Sequence, residues 1–401
     1  MNNKIRTVIT LASSCLLIGK LQADPSPTIH PTGENRGTIA GPVGQGLYSK
    51  PVWRKMGQGT YVGGYADFNY RSQQGAKQKF EAIRMVPFIY GDIAPGLRYA
   101  TEIEFEHGGA TDENTGDAKL EFAFMDYDLL GETLGARGGL ILVPLGKFNS
   151  MHDSPLNDLN DRPMISQTIL PSAFYEPGAG FFGAAYPVGP VKLDYQFYLT
   201  QGFNGSATGL SRITSTTGLK SARSNVNSSG DNNENISYTG RLGLSPILGT
   251  ELGASFHTGT WDNAGQNALS ILALDWGLQW RCLEFLGEYA NAQIDRNAAT
   301  DSSVPGRMEG YYGQLNVHFL ENWARPNSVF TGVFRLDQQD LDLLNQTSNQ
   351  SANNKQRLTF GLNFRPLEQT VFKLDYQLNY ENYYLPGESN NAIVAGFATY
   401  F

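Results

Sequence analysis

The chain is poor in cysteine, in charge and in long apolar runs, and each shortage removes a class of protein. It holds two cysteines in 401 residues. Cys15 falls in a leader-like N-terminus, so only Cys282 would survive processing. One thiol cannot close an intramolecular disulfide, and the fold is not stapled although the chain is exported. Cys282 reads as a small apolar side chain at a strand start. Past residue 23, no apolar run approaches the roughly 18 residues that a spanning helix needs. Mean hydropathy is −0.33 and charged residues are 17%, which is odd for a helical membrane protein. Catalytic signatures are missing too: there is no nucleophile elbow, no HExxH and no phosphate-binding glycine loop. Ser150 and Asp153 flank His152, but neighbours on one loop rarely align as nucleophile and base. An outer-membrane hydrolase is therefore a poor reading. No cofactor is implied.

The N-terminus has the parts of an export signal. Lys4 and Arg6 precede a mostly apolar stretch, Val8 to Gly19, and cleavage after Ala23 fits a small residue at the cut. A lipoprotein signal at Ala12–Cys15 is the rival, but the apolar run continues through Leu16, Leu17 and Ile18. Losing residues 1–23 removes three of the 30 basic residues; the remaining 27 face 38 acidic ones, a charge of −11. That balance argues against a nucleic-acid partner. Residues 24–57 interleave proline and glycine without periodicity and read as a periplasmic linker.

From residue 58 a period of two takes over. On 97–106, Tyr99, Thr101, Ile103 and Phe105 alternate with Arg98, Glu102, Glu104 and Glu106. On 372–380, Phe372, Leu374, Tyr376, Leu378 and Tyr380 alternate with Lys373, Asp375, Gln377 and Asn379. The chain stops on such a segment, with Phe401 last, as the closing strand of an outer-membrane barrel would. About sixteen segments can be counted between residues 60 and 401. Turns such as 91–96, 187–190, 246–249 and 366–369 are short; the intervening connections, notably 146–177 and 202–235, are long. These are barrel signatures.

A charge decides which face meets lipid. Lys or Arg in mid-bilayer costs about 2–4 kcal/mol. Like carboxylates about 7 Å apart in water repel by only about 0.6 kcal/mol. The charged rows therefore point inward, and aromatics near strand ends, such as Tyr70, Tyr90, Tyr195 and Tyr380, form the interfacial girdles. A soluble β-sandwich is the alternative. The expected fold class is all-β: a transmembrane antiparallel β-barrel of about 16 strands, spanning 58–401, with a long inward-folded third loop.

That loop carries its own apolar residues, Ile165, Ile169, Leu170, Phe174 and Tyr175, and so is expected to pack inside the bore. Around it runs GLILVPLG, then an Asp-rich stretch, DRP at 161–163, LP, and EPGAGFFG; later come YTGRLGLSP at 238–246 and LGEYA at 286–290. This pattern resembles the phosphate-selective porin family. The resemblance implies a sixteen-stranded barrel, a third loop lining a constriction, and a homotrimer. A phosphate pore needs a basic run down the lumen. Here the inward bases are matched by inward acids, so the residues point first to a general pore.

The expected constriction places Lys147, Asp153, Asp158, Asp161, Arg162 and Glu176 on the loop. Arg71, Arg98, Arg357 and Arg365 face them from the wall, beside Glu102 and Glu104. Arg162 has a plainer reading as an anchor to a wall carboxylate. The spacing of Asp153, Asp158 and Asp161 lacks the glycine turn and final Glu of a calcium loop, so no metal site is expected. The function expected is passive diffusion of small hydrophilic solutes and ions through an outer-membrane channel, with the lipid bilayer as partner. The alternatives are an anion- or phosphate-selective channel, and a surface protein that only displays loops.

Overall fold

The computed structural model describes residues 54–55, 59–111, 114–206, 213–223, 231, 233–297, 302–344, 347, 353–381 and 390–401. The leader, nearly all of the linker and much of the 222–235 and 345–354 loops lie outside them. The strands are β1 (Arg54–Lys55), β2 (Thr60–Gln73), β3 (Lys79–Ala94), β4 (Leu97–Thr111), β5 (Asn114–Asp128) and β6 (Gly135–Leu142). They continue with β7 (Tyr175–Ala185), β8 (Lys192–Thr200), β9 (Ser237–Ser245), β10 (Thr250–Thr260), β11 (Ala268–Trp280) and β12 (Leu283–Ile294). The last are β13 (Arg307–Phe319), β14 (Val329–Asp340), β15 (Asn354–Leu367), β16 (Thr370–Glu381) and β17 (Ala392–Tyr400).

Each of β2 to β17 pairs antiparallel with its neighbours in sequence, and β17 returns to β2 in the register Val394↔Arg71. This closes a sixteen-stranded ring, so no strand is an edge along its whole length, although β5 meets β6 only at Ala123–Asp128. Two-residue β1 lies on β2 at Arg54↔Val62, just beyond Tyr400↔Tyr65 where β17 stops. Every one of the sixteen expected segments is a strand. One boundary moves the chemistry: Glu176, expected on the third loop, sits on β7, and the loop itself is 143–174.

The surface is inverted relative to a soluble globule. Phe360 and Leu362 of β15, Phe372, Leu374 and Tyr376 of β16, and Leu272, Leu274 and Leu278 of β11 are exposed on the outside. Between them, Arg335, Asp337, Thr359, Asn363, Lys373 and Asp375 are buried in the interior. An exposed Leu or Phe forgoes about 1.5–3 kcal/mol of burial, and contiguous apolar surface of this extent marks an interaction surface.

The bore is not uniformly polar, and here the expectation needs correcting. Segments 79–90 and 118–128 alternate poorly because each contains a bulge. Asp67↔Arg84 is followed by Phe68↔Ala82, which leaves Ile83 unpaired; Glu102↔Phe122 is followed by Ile103↔Leu120, which leaves Glu121 unpaired. One extra residue reverses the facing of everything beyond it. Hence Val86, Phe88 and Tyr90, with Phe122 and Phe124, turn inward and pack with Tyr65, Tyr198 and Tyr400. Tyr90 is no girdle residue; its hydroxyl donates to Glu102 at 3.1 Å.

Candidate functional site

The loop 143–174 leaves the barrel wall at Gly146, whose φ of +72° lies in the left-handed region that glycine enters without strain. Its N–H donates to Ser255 Oγ at 2.9 Å, and Phe148 N–H donates to Glu288 Oε1 at 2.6 Å. Lys147 Nζ reaches Glu251 at 2.5 Å. Asn149 ties the two ends of the loop together: its Nδ2 donates to Val143 O (2.7 Å) and Phe174 O (2.9 Å), and its Oδ1 accepts from Phe174 N–H (2.8 Å). Val143, Leu145, Ile165, Ile169, Leu170 and Phe174 then pack on inward apolar positions of β11 to β13, among them Ile271, Ala290 and Met308.

The rest of the loop is held by polar contacts to the opposite wall. His152 Nε2 lies 2.5 Å from Glu121 Oε1. Tyr400 donates its hydroxyl proton to Asp153 (2.8 Å), and Ser154 donates to Asp67. Arg365 donates to Pro155 O at 2.8 Å and to Asp158 at 3.0 Å; Asn316 donates to the second oxygen of Asp158 at 2.7 Å. Asn160 N–H donates to Asp375 at 2.6 Å. Asp161 accepts from Arg71 and from Gln377 (2.8 Å), with Arg357 at 3.6 Å. Met164 N–H donates to Asp337 at 2.9 Å, and Thr168 Oγ1 donates to Gln339 at 2.7 Å. In a ring of sixteen, β2 and β10 stand opposite. A loop bonded to both, and to β12 through β17, crosses the bore.

Between the loop and the β2–β4 wall a cavity of about 340 Å³ remains. Its charged lining is Asp67 and Arg71 of β2, Lys79, Glu81 and Arg84 of β3, Glu106 of β4, Asp161 and Arg162 of the loop, Lys373 of β16, and Lys220. Several of these neutralise one another: Arg71 with Asp161, Lys79 with Glu81 at 2.6 Å, and Arg84 with Asp67 at 3.5 Å. Lys119 serves Glu104 at 2.9 Å and Glu106 at 3.0 Å.

Three cations stand apart. Arg162 donates to Ser172 O at 2.9 Å, and its Nη2 is buried without a partner among the described residues. Arg223 donates to Ala173 O at 2.7 Å. Lys220 lies near both. None of the three has a carboxylate partner among the described residues. Burial first, then Arg84, pulls Arg162 below its ordinary pKa; partial burial, then Arg223 and Arg162, does the same to Lys220. Asp161 goes the other way: burial would raise it, but Arg357 and Arg71 overcome that and hold its pKa below the ordinary value.

Of the twelve residues expected at the constriction, Arg71, Asp161 and Arg162 line the cavity. Asp158 with Arg365, and Asp161 with Arg71 and Arg357, pair by direct contact, so these loop acids and wall bases fasten the loop rather than face each other across open water. Arg162 bonds the loop's own backbone, not a wall carboxylate. Lys147 and Asp153 are anchors. Glu176 accepts from Gly202 N–H at 2.8 Å and is fully buried. Arg98 pairs with Asp128 at 2.7 Å at the short-turn rim, and Glu102 and Glu104 are buried on the wall. The sequence reading missed Arg84, Lys119 and Lys220. The first two sit on the bulged strands. Lys220 belongs to the connection after β8, whose polar composition gives no facing.

No family model matches the chain. An uncharacterized protein of Aquifex aeolicus is 25% identical over 342 residues, covering 80% of this chain and 75% of that one. Among solved structures, OmpF of Salmonella typhi in complex with daunomycin aligns with a TM-score of 0.57 at 9% identity, over 87% of this chain and 100% of that one. The anion-selective porin of Comamonas acidovorans gives 0.54 at 12% identity, over 85% and 99%. The outer membrane channel DcaP of Acinetobacter baumannii gives 0.52 at 12% identity, over 87% and 99%. At such identities the likeness is one of fold: the porin barrel.

Proposed function

We propose that this protein is an outer-membrane porin, a passive channel for small hydrophilic solutes and ions. The observation that carries the reading is the inverted surface of a closed ring: apolar rows outside, ionic rows inside, and a loop narrowing the bore. A helical or soluble role explains none of these together. The leader and a homotrimeric assembly belong to the same proposal, as do the short turns facing the periplasm and the long loops facing out. Catalysis, a cofactor and energy coupling are no part of the proposal.

A second reading has its own support. The cations Arg162, Lys220 and Arg223 have no carboxylate partner among the described residues and cluster by the loop–wall cavity. Such a cluster favours anions, phosphate and other oxyanions included. Reversal potentials across a planar bilayer in a potassium chloride gradient separate the two. Weak selectivity of either sign supports the general pore, and strong anion preference supports the second reading. A folded, inserted protein that passes no current removes both.

A further inference from the structure

We infer that the short-turn rim is itself a lipid-contact surface: its turns lie at the headgroup level of the phospholipid leaflet instead of in bulk water. This rests on the porin reading. All seven connections at this rim are described. Four of them carry an exposed large apolar side chain, Leu130, Val188, Leu248 and Trp323, and at the other three the strand leading in carries one at its end: Ile93, Trp280 and Leu367. Leu248 is 96% exposed, and Val188 and Trp323 are each 69% exposed. A turn built for water would put Asn, Asp, Ser or Gly at these tips.

Three features identify the occupant as lipid. The apolar tips continue the outward rows of the strands, as in Met125, Tyr127 and Leu129, or Leu274, Leu278 and Trp280, so one band runs off the wall onto the rim. The tips are distributed around the whole circumference. A docked protein or second copy covers one sector, as in the proposed homotrimer, whereas a bilayer meets every turn outside that sector. Finally, the Arg281 guanidinium lies 5.0 Å from the Trp280 ring centroid. An aromatic with a cation over its face suits the boundary between acyl chains and phosphate headgroups.

The test uses the full chain in vesicles of dioleoylphosphatidylcholine, with nitroxides on L248C, V188C and W323C, each in a C282S background. Collision rates with oxygen, which partitions into lipid, are compared with those of a water-soluble nickel chelate. L362C, on the outward face of β15, is the reference. The expected result is oxygen-dominated collision at all three turns, at a shallower depth than at position 362. Nickel-dominated collision at the turns, with position 362 still in lipid, overturns the inference and leaves the porin reading intact. Shielding at a single turn, with the others wet, also overturns it and indicates a protein docked on that sector. A wet position 362 sinks the porin reading, and the inference with it.

Discussion

Arg365→Ala should loosen the third loop without loosening the barrel. The guanidinium holds two loop groups at once, Pro155 O and the Asp158 carboxylate, and both partners of the ion pair are nearly buried, at 7% and 12% side-chain exposure. Deleting one member of a buried pair costs about 3–5 kcal/mol when the other is stranded. Asp158 is not wholly stranded, because Asn316 (2.7 Å) and Asn363 (3.1 Å) still donate to it. The loss is therefore set lower, at about 2–3 kcal/mol. If loop docking alone bears it, the undocked population rises roughly 30- to 150-fold, at about 1.36 kcal/mol per decade. The amides of Asn160 and Met164 donate to wall carboxylates, so their hydrogen exchange reads undocking directly. Both should accelerate by that factor while amides of β10 and β11 keep their protection. Arg365→Lys, which keeps the charge but not the fork, should recover part of the effect. Equal acceleration throughout the barrel, or none at Asn160 and Met164, would refute the claim that the loop is a separately docked element.

Three further outcomes follow from the same geometry. Replacing Arg162 and Lys220 together by Gln removes from the cavity two cations that have no carboxylate partner among the described residues, and should lower the anion-to-cation permeability ratio roughly twofold or more, read as a reversal potential. Asp161 has its pKa depressed by Arg357 and Arg71, so its contribution to docking is complete above the ordinary carboxylate range and is lost as pH falls through the lowered value. Exchange at the Met164 amide should therefore be flat from neutral pH to the ordinary carboxylate range, once the intrinsic pH dependence is removed, and rise only in stronger acid; a rise beginning near neutrality contradicts this. Gly146→Val places a branched side chain at a φ of +72° with a Cβ 3.1 Å from Leu170 Cδ1 and 3.3 Å from the Glu288 oxygens. It should destabilise the loop stem by about 1–3 kcal/mol, seen as faster exchange at Phe148.

The barrel was readable because β-strand facing has a period of two and the charges mark one face. Leu97–Glu106 and Phe372–Tyr380 show this without ambiguity, and the structure places their ionic rows inside. Facing was lost where a bulge intervenes. On β3 and β5, one unpaired residue each, Ile83 and Glu121, sends Glu81 and Arg84, or Lys119 and Phe122, to the same side of the wall. No composition rule marks that residue beforehand. The loop's path was readable only as far as its apolar residues required a surface to pack on. Which acid meets which base depends on contacts between residues some 90 to 210 positions apart, as in Arg71 with Asp161 or Asp158 with Arg365. Arg162 is legible in the sequence as a charge of the loop, but its neighbours Lys220 and Arg223 come from a connection with no periodic signal.

The account turns on side chains such as Asn69 reaching a water-filled bore while others such as Tyr376 reach lipid. The most direct test is single-channel recording of the purified chain in planar bilayers, with C282S as background and a bulky, charged thiol reagent as the probe. Discrete ohmic steps are expected, reduced when the reagent modifies N69C in the cavity wall and unchanged for Y376C on the outer face. Steps that are absent from correctly folded protein, or that ignore modification at position 69, would contradict it.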